Sequence, residues 1–299
     1  MFRWIYSVFG AVMRAFNSLT GNYILALLLF ALVVKLVFLP LAVWQRRRTV
    51  QMQNLRPAVE AIAQKYAGKT DQKALEARNA ELTALKRRFV FARRLGFILM
   101  LVQLLILIPL YKIVRQPLTF ICRFDAEQTS AIEGVLRAND LWYKNAETTS
   151  SELTQVDVLA RMQEMLLRDP HAFDAIDPDT PDLLPDFSLF GRYNLAETPS
   201  IMHPSPLLII PPLVALGQWL AVRIPRKLSG QTGAGQTEDE RRSQLIMDLI
   251  SPMVGFYFGF MLSAAVGLYW LFQSCFSILQ SILLHRLMPI APRKSQIRN

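Results

Sequence analysis

Residues 249–284 read LISPMVGFYFGFMLSAAVGLYWLFQSCFSILQSILL, 36 residues without a charge. As one helix this run would measure about 54 Å, nearly twice the hydrocarbon core of a bilayer. It therefore holds two spanning helices and a reversal. The small residues of 259–267, GFMLSAAVG, place the turn there. Three further runs accompany it. Residues 23–43 are apolar except for Lys35. Residues 95–111 and 206–222 carry no charge at all. The fold read from this pattern is an all-α integral membrane protein with five transmembrane helices.

Charge parity tests the number. The stretch 44–94 holds 13 Lys/Arg against 4 Asp/Glu, and the tail 285–299 holds 4 basic residues and no acid. Residues 224–244 carry 4 basic and 3 acidic residues, whereas 116–205 carry 6 basic and 15 acidic. Five spans put the three basic stretches on one side and the acidic one on the other. The positive-inside rule then expects the N-terminus outside and the tail in the cytoplasm. A single span over 249–284 would strand the basic tail outside.

Composition agrees. Of 299 residues, 52% are hydrophobic and 19% charged, with a mean hydropathy of +0.26. A disordered chain would hold fewer apolar residues. Two cysteines, Cys122 and Cys275, are too few for a disulfide-stapled domain. The net charge of +10 resolves into membrane-side markers rather than a nucleic-acid surface.

The polar stretches complete the organisation. Residues 1–20 place 2, 5, 9, 12, 13 and 16 on one helical face and lack a long apolar core or a cleavage site. They read as an amphipathic helix on the outer membrane surface. Residues 21–44 are the first span. Residues 45–94 read as a cytoplasmic helical hairpin, with stripes at Leu55, Val59, Ile62, Tyr66 and at Leu75, Leu82, Leu85, Phe89. Gly68 is its C-cap and Thr70 its next N-cap. Such a hairpin either only fixes topology or acts as a mobile arm for lipid, ribosomal RNA or nascent chain. Residues 95–115 are the second span. Residues 116–205 form an extracytoplasmic acidic insertion, helical near 151–168 and a loop over 169–186. Residues 206–223 are the third span, and 224–244 a flexible cytoplasmic loop. Residues 245–285 are the fourth and fifth spans, and 286–299 a basic cytoplasmic tail.

Catalytic constellations are missing from the sequence. His171, His203 and His285 lie far apart, and no zincin, nucleophile-elbow or phosphate-loop motif occurs. No enzyme activity, metal, cofactor or small-molecule substrate is expected. The two cysteines, one expected outside and one inside a span, should not pair.

Lys35 is the residue no topology rule explains. It sits about 3 Å past the midplane of its span and about 12 Å from the cytoplasmic end by helix rise. Burying it costs several kcal/mol. No acid lies within a span interior, and the nearest candidate is Asp248 at the edge of the fourth. Lys35 then either faces a water-filled cavity open to the cytoplasm or snorkels with local bilayer thinning. Gln103, Gln218, Gln273, Ser274 and Gln280 are polar span residues available to line such a cavity.

The sequence resembles the YidC/Oxa/Alb family of membrane protein insertases. VVKLVFLPL at 33–41 resembles the end of the family's first core helix, with Lys35 where the family usually has arginine. QRRRTVQMQNLRPAVEAIAQKY at 45–66 resembles the start of its cytoplasmic hairpin. LVQLLILIPLYKIVRQPL at 101–118 resembles its second core helix, and LPDFS at 184–188 the loop before the third. SPMVGFYFGF and VGLYWLFQSCFSILQ resemble the fourth and fifth, with Pro252, Gly255, Gly267, Tyr269 and Trp270. About 200 residues are covered in order. The departures are Pro109, later than the family's proline, Ser263-Ala264-Ala265 in place of Pro-Ala-Gly, and an insertion of roughly 60 residues around 120–180. With no large domain ahead of the core, the chain resembles the short Gram-positive type, as a divergent member.

The resemblance implies an insertase and chaperone whose hydrophilic groove carries a positive charge, Lys35. It also implies a groove lining of Gln103, Gln218, Tyr269, Trp270 and Gln273. Arg46, Arg47, Arg48, Arg87, Arg88, Arg93 and Arg94 would recruit clients or ribosomes. The implied partners are nascent membrane proteins, the lipid bilayer, the ribosome and the Sec translocon. Two other readings stand beside it. A small polytopic transporter or channel would use Lys35 as substrate counter-charge, but would usually show an internal repeat. An assembly subunit would use the small-residue row Gly255, Gly259 and Ser263, which packing on the fifth span explains equally well.

Overall fold

Gly21 and Asn22 separate the first two helices, α1 (Arg3–Thr20) and α2 (Tyr23–Val37). Gly21 takes φ 61°, the left-handed conformation that ends a helix at little cost for glycine. The Asn22 side-chain oxygen then accepts from the Ile24 and Leu25 amides at 2.9 and 3.1 Å, capping α2. The computed structural model describes residues 3–69, 71–86, 106, 108–142, 154–177, 180–189, 193–202, 204–229 and 238–289.

The first apolar run is not one straight helix, as the sequence had indicated. It breaks at Phe38, and α3 (Leu39–Gln53) leaves α2 at 52° over the matched stretch. Pro40 is the cause. It has no amide to donate to the Leu36 carbonyl, and its ring collides with that carbonyl in a continuous helix. The helix α3 also carries the chain well into the stretch assigned to the hairpin. Next come α4 (Arg56–Lys65) and α5 (Gln72–Lys86). The Ala74 amide donates to the Asp71 carboxylate at 3.1 Å, so Asp71 is the N-cap of α5. The expected cap, Thr70, lies outside the described residues.

Two compact units are present, each made of three chain segments. The first holds Met1–Val33, Leu104–Pro212 and Tyr257–Trp270. Within it α1 packs on the π-helix Leu118–Cys122. A Cβ built on Gly10 would lie 2.4 Å from the Phe120 carbonyl oxygen, so only glycine fits there. Met13 is fully buried, and Tyr6 stacks 5.7 Å from Phe120. One face of α1 therefore packs on protein, which the reading of a helix simply floating on the membrane had not included.

About half of the described residues of segment 116–205 are helical. Capping boxes built on Asp125 and Thr154 start α6 (Ala126–Ala138) and α7 (Gln155–Arg168). The stretch expected to be loop holds one turn of helix, α8 (Thr180–Leu183). An antiparallel pair, β1 (Ser188–Leu189) and β2 (Tyr193–Asn194), departs from the all-helical expectation. These strands aim the following residues at a helix start. The Leu195 and Glu197 carbonyls accept from the Ala265 and Ala264 amides at 2.8 Å each. They satisfy donors that a helix N-terminus leaves open. Phe187 meets Tyr23 edge-on at 4.3 Å.

Neither Cys122 nor Cys275 forms a disulfide. Burial pushes the Cys122 thiol up from 9.0 to about 12. Between those values the folded chain holds one proton more than the unfolded chain, so this group's contribution to stability falls as pH rises. In a Cys275→Ser background, Cys122 should stay unreactive to N-ethylmaleimide at pH 8 and react on unfolding. Rapid labelling of folded protein would contradict the burial.

The second unit holds Val34–Gln103, Leu213–Phe256 and Leu271–Asn299. It contains α3, α4, α5 and most of α9 (Ile210–Ser229), α10 (Glu238–Met261) and α11 (Ala264–Leu287). The loop expected over 224–244 is helical at both ends, because α9 and α10 outrun the apolar stretches. Residues 230–237 lie outside the described ones. The break between α10 and α11 falls at Leu262 and Ser263, inside the expected turn. Ser251 before it and Ser274 after it both bond Gln218, so the chain reverses there.

Among the described residues, Pro206–Leu228 and Ala264–Leu287 are long and apolar enough to cross a membrane, and the bent α2–α3 pair makes a third candidate. On α10, Leu249, Ile250, Met253, Phe256, Tyr257 and Met261 are exposed. Such a contiguous apolar surface is stable in lipid rather than water. The chain is a mostly helical membrane protein.

Candidate functional site

Lys35 stands on the last turn of α2, half-buried, with apolar neighbours in sequence on both sides. Its Nζ donates to the Ser277 hydroxyl at 2.6 Å. Among the described residues it forms no ion pair. A hydroxyl offsets part of the cost of desolvating an ammonium but supplies no opposite charge. Asp248, the acid nearest in the sequence-based reading, does not serve. Its carboxylate is bonded to Arg226 on α9.

Ser277 belongs to a polar row. Ser274, Ser277 and Ser281 fall on one face of α11 at helical spacing. Gln218 on α9 donates from Nε2 to the Ser274 hydroxyl at 3.2 Å, and its Oε1 accepts from Ser251 on α10 at 3.5 Å. Four helices, α2, α9, α10 and α11, thus contribute to one polar array within the second unit. Gln273 is buried in the same unit. Van der Waals contact draws α9 close to its neighbours. A Cβ on Gly255 would sit 3.1 Å from Gln218, and one on Gly217 would sit 3.1 Å from Leu271. In the first unit, a Cβ on Gly259 would meet Pro211 at 2.8 Å. Gly255 and Gly259 of the small-residue row therefore pack on α9, not on the fifth span as the sequence had indicated.

The other proposed lining residues lie elsewhere. Tyr269 and Trp270 are core side chains of the first unit, with Tyr269 5.9 Å from Phe30 and Trp270 5.9 Å from Phe258. Gln103 lies outside the described residues, as do Arg87, Arg88, Arg93 and Arg94. Of the remaining arginines, Arg47 is exposed. Arg48 lies over the Trp44 ring at 5.3 Å and bonds Gln51. Arg46 is buried, donating to His285 Nδ1 at 2.9 Å and to the Met288 carbonyl at 3.1 Å. A guanidinium has only donors, so the His285 Nδ1 is the acceptor of this contact. Arg46 therefore ties the end of α11 to α3 rather than standing free.

Sequence reasoning missed Ser277. Its signal was the i, i+3, i+7 serine spacing at 274, 277 and 281, one turn from Ser274.

Residues 15–291 match the protein family described as 60Kd inner membrane protein. The chain belongs to this family. The resemblance carried by the 33–41, 45–66 and 249–284 motifs is thereby borne out. Among curated relatives of this chain, the Thermotoga maritima protein named membrane protein insertase YidC is 34% identical over 116 residues, 38% of this chain and 25% of its own length. Membrane protein insertase YidC 1 of Halalkalibacterium halodurans is 32% identical over 95 residues, 32% of this chain and 37% of its own length. Membrane protein insertase MisCA of Bacillus subtilis is 35% identical over 95 residues, 31% and 36% respectively. The chain thus spans about a quarter to just over a third of the length of these curated relatives.

Proposed function

We propose that this chain is a membrane protein insertase that moves client transmembrane segments from the cytoplasm into the bilayer. The observation that carries the reading is Lys35, a cation on an apolar helix met by the Ser277 hydroxyl within an array of polar span residues. The names of the curated relatives support it.

In this mechanism, a client's polar or acidic tail enters a groove lined by Gln218, Gln273, Ser274, Ser277 and Gln103. The unneutralised Lys35 ammonium attracts it, and attraction is strong where water is scarce. The client's apolar helix then leaves for lipid, and its transfer out of water drives the step. The groove lowers the barrier that a polar tail meets in hydrocarbon. No covalent chemistry is involved, so the protein is not an enzyme. Five spans, an outer N-terminus and a cytoplasmic tail complete the arrangement. The 45–94 helices and the tail recruit clients, with the ribosome and the Sec translocon as further partners. Arg47 and Arg48 serve recruitment, while Arg46 holds the end of α11.

The test is solvent access. Single cysteines at 218 and 273, in a background without Cys122 and Cys275, should react in cells with a membrane-permeant charged-product maleimide and be blocked by a bound client. Two unreactive positions would remove the groove. The chain should also restore growth to a host depleted of its own insertase; no rescue at normal expression would count against the function itself.

A further inference from the structure

Two arginines of the first unit stand together without an acid. Arg14 lies on the face of α1 that buries Met13 and Asn17. Its Nε and one Nη are shut off from solvent and have no hydrogen-bond partner among the described residues. Arg123 ends the π-helix with φ 62°, its side chain exposed. Burial first, and then the neighbouring Arg123 guanidinium, lowers the pKa of Arg14. Neither arginine forms an ion pair among the described residues. Segment 116–205 holds 15 acidic residues, but Glu164 pairs with Arg161 and Arg168 and Asp174 with His171. Two like charges that repel beside a half-buried guanidinium are unfavourable until an anion arrives.

The shape of that anion follows from the donors. Guanidinium forks bind tetrahedral oxyanions bidentately, phosphate above all. The opposite side of α1 says where the phosphate comes from. Val8 and Leu19 are 49% and 76% exposed there, an apolar strip suited to acyl chains. A helix of this kind lies at headgroup depth, where phosphate esters are concentrated. Lys112 is already occupied, 4.9 Å from the Tyr6 ring and 5.8 Å from the Phe120 ring.

We propose that Arg14 and Arg123 form a binding site for the phosphate ester of a phospholipid headgroup, gripping the lipid between α1 and the π-helix. Its role is to hold α1 at the interface.

Native mass spectrometry of the full chain in detergent, titrated with phosphatidylglycerol, tests the site. Wild type should retain one lipid about tenfold more tightly than Arg14→Gln or Arg123→Gln, the loss expected for one charge-assisted pair. Arg137→Gln removes the same charge from an exposed residue of α6 and should change nothing. Diacylglycerol, which has no phosphate, should not be retained. Equal retention by all variants overturns the site. Displacement of the lipid by an equal concentration of inorganic phosphate overturns the lipid as its source. Arg123 is exposed, so Arg123→Gln decides the matter if Arg14→Gln loosens the fold. The readout is binding alone, independent of insertion.

Discussion

Lys35→Glu should lower insertion of a short single-span client with an acidic external tail by at least tenfold, about 1.4 kcal/mol in the barrier. Lys35→Ala should lower it less, and Lys35→Arg should restore it. The order follows from charge. Alanine removes the attraction, whereas glutamate replaces it with repulsion at the same place. Ser277 makes the prediction sharper, because its hydroxyl holds the ammonium at 2.6 Å without neutralising it. Ser277→Ala should therefore cost activity in wild type but add little once Lys35 is alanine. A client whose tail has no acid should be insensitive to all these changes. Proteoliposomes that score protected client fragments give the readout. If Lys35→Ala and Lys35→Glu both insert the acidic client as well as wild type, the charge has no role in insertion. A transporter counter-charge predicts that same flat result.

Gly10→Val should lower the midpoint of thermal unfolding by roughly 2–12 °C, from an overpacking cost of about 1–3 kcal/mol. A side chain at position 10 meets backbone, not a flexible side chain, since the Phe120 carbonyl oxygen would lie 2.4 Å away. Either α1 lifts off or residues 118–122 shift. Limited proteolysis should then cut between α1 and α2 at lower protease concentration than in wild type. Gly134→Ala is the matched control. A Cβ there meets nothing within 4 Å, so better helix propensity should leave stability unchanged or slightly higher. A Gly10→Val protein as stable as wild type would remove the close contact.

Much of the architecture was legible because its signals are local. A chargeless run of 36 residues exceeds one membrane thickness whatever it packs against, and the break at Leu262 and Ser263 falls within the small-residue stretch. The capping boxes at Asp125 and Thr154 likewise act within four residues of chain. The bend at Phe38 was not read, although Pro40 causes it, because the apolar run looks like one span. Lys35 was legible as an outlier because its cost is a property of one residue in one apolar run.

Its partner was not legible. Ser277 is 242 positions away along the chain, and nothing in the spacing of α2 points to α11 rather than to Asp248. Asp248 is taken by Arg226, a pairing that composition could not rank above one with Lys35. Arg46 looked like one more basic residue until His285 and the Met288 carbonyl were found around it. The sequence by itself determined the helices, the class of protein and the unusual lysine, since hydropathy, capping and charge act over a few residues. Only the tertiary structure decided which polar groups meet. Burial raises the cost of every unmet polar group, but the partner that meets it comes from wherever packing brings the chain back.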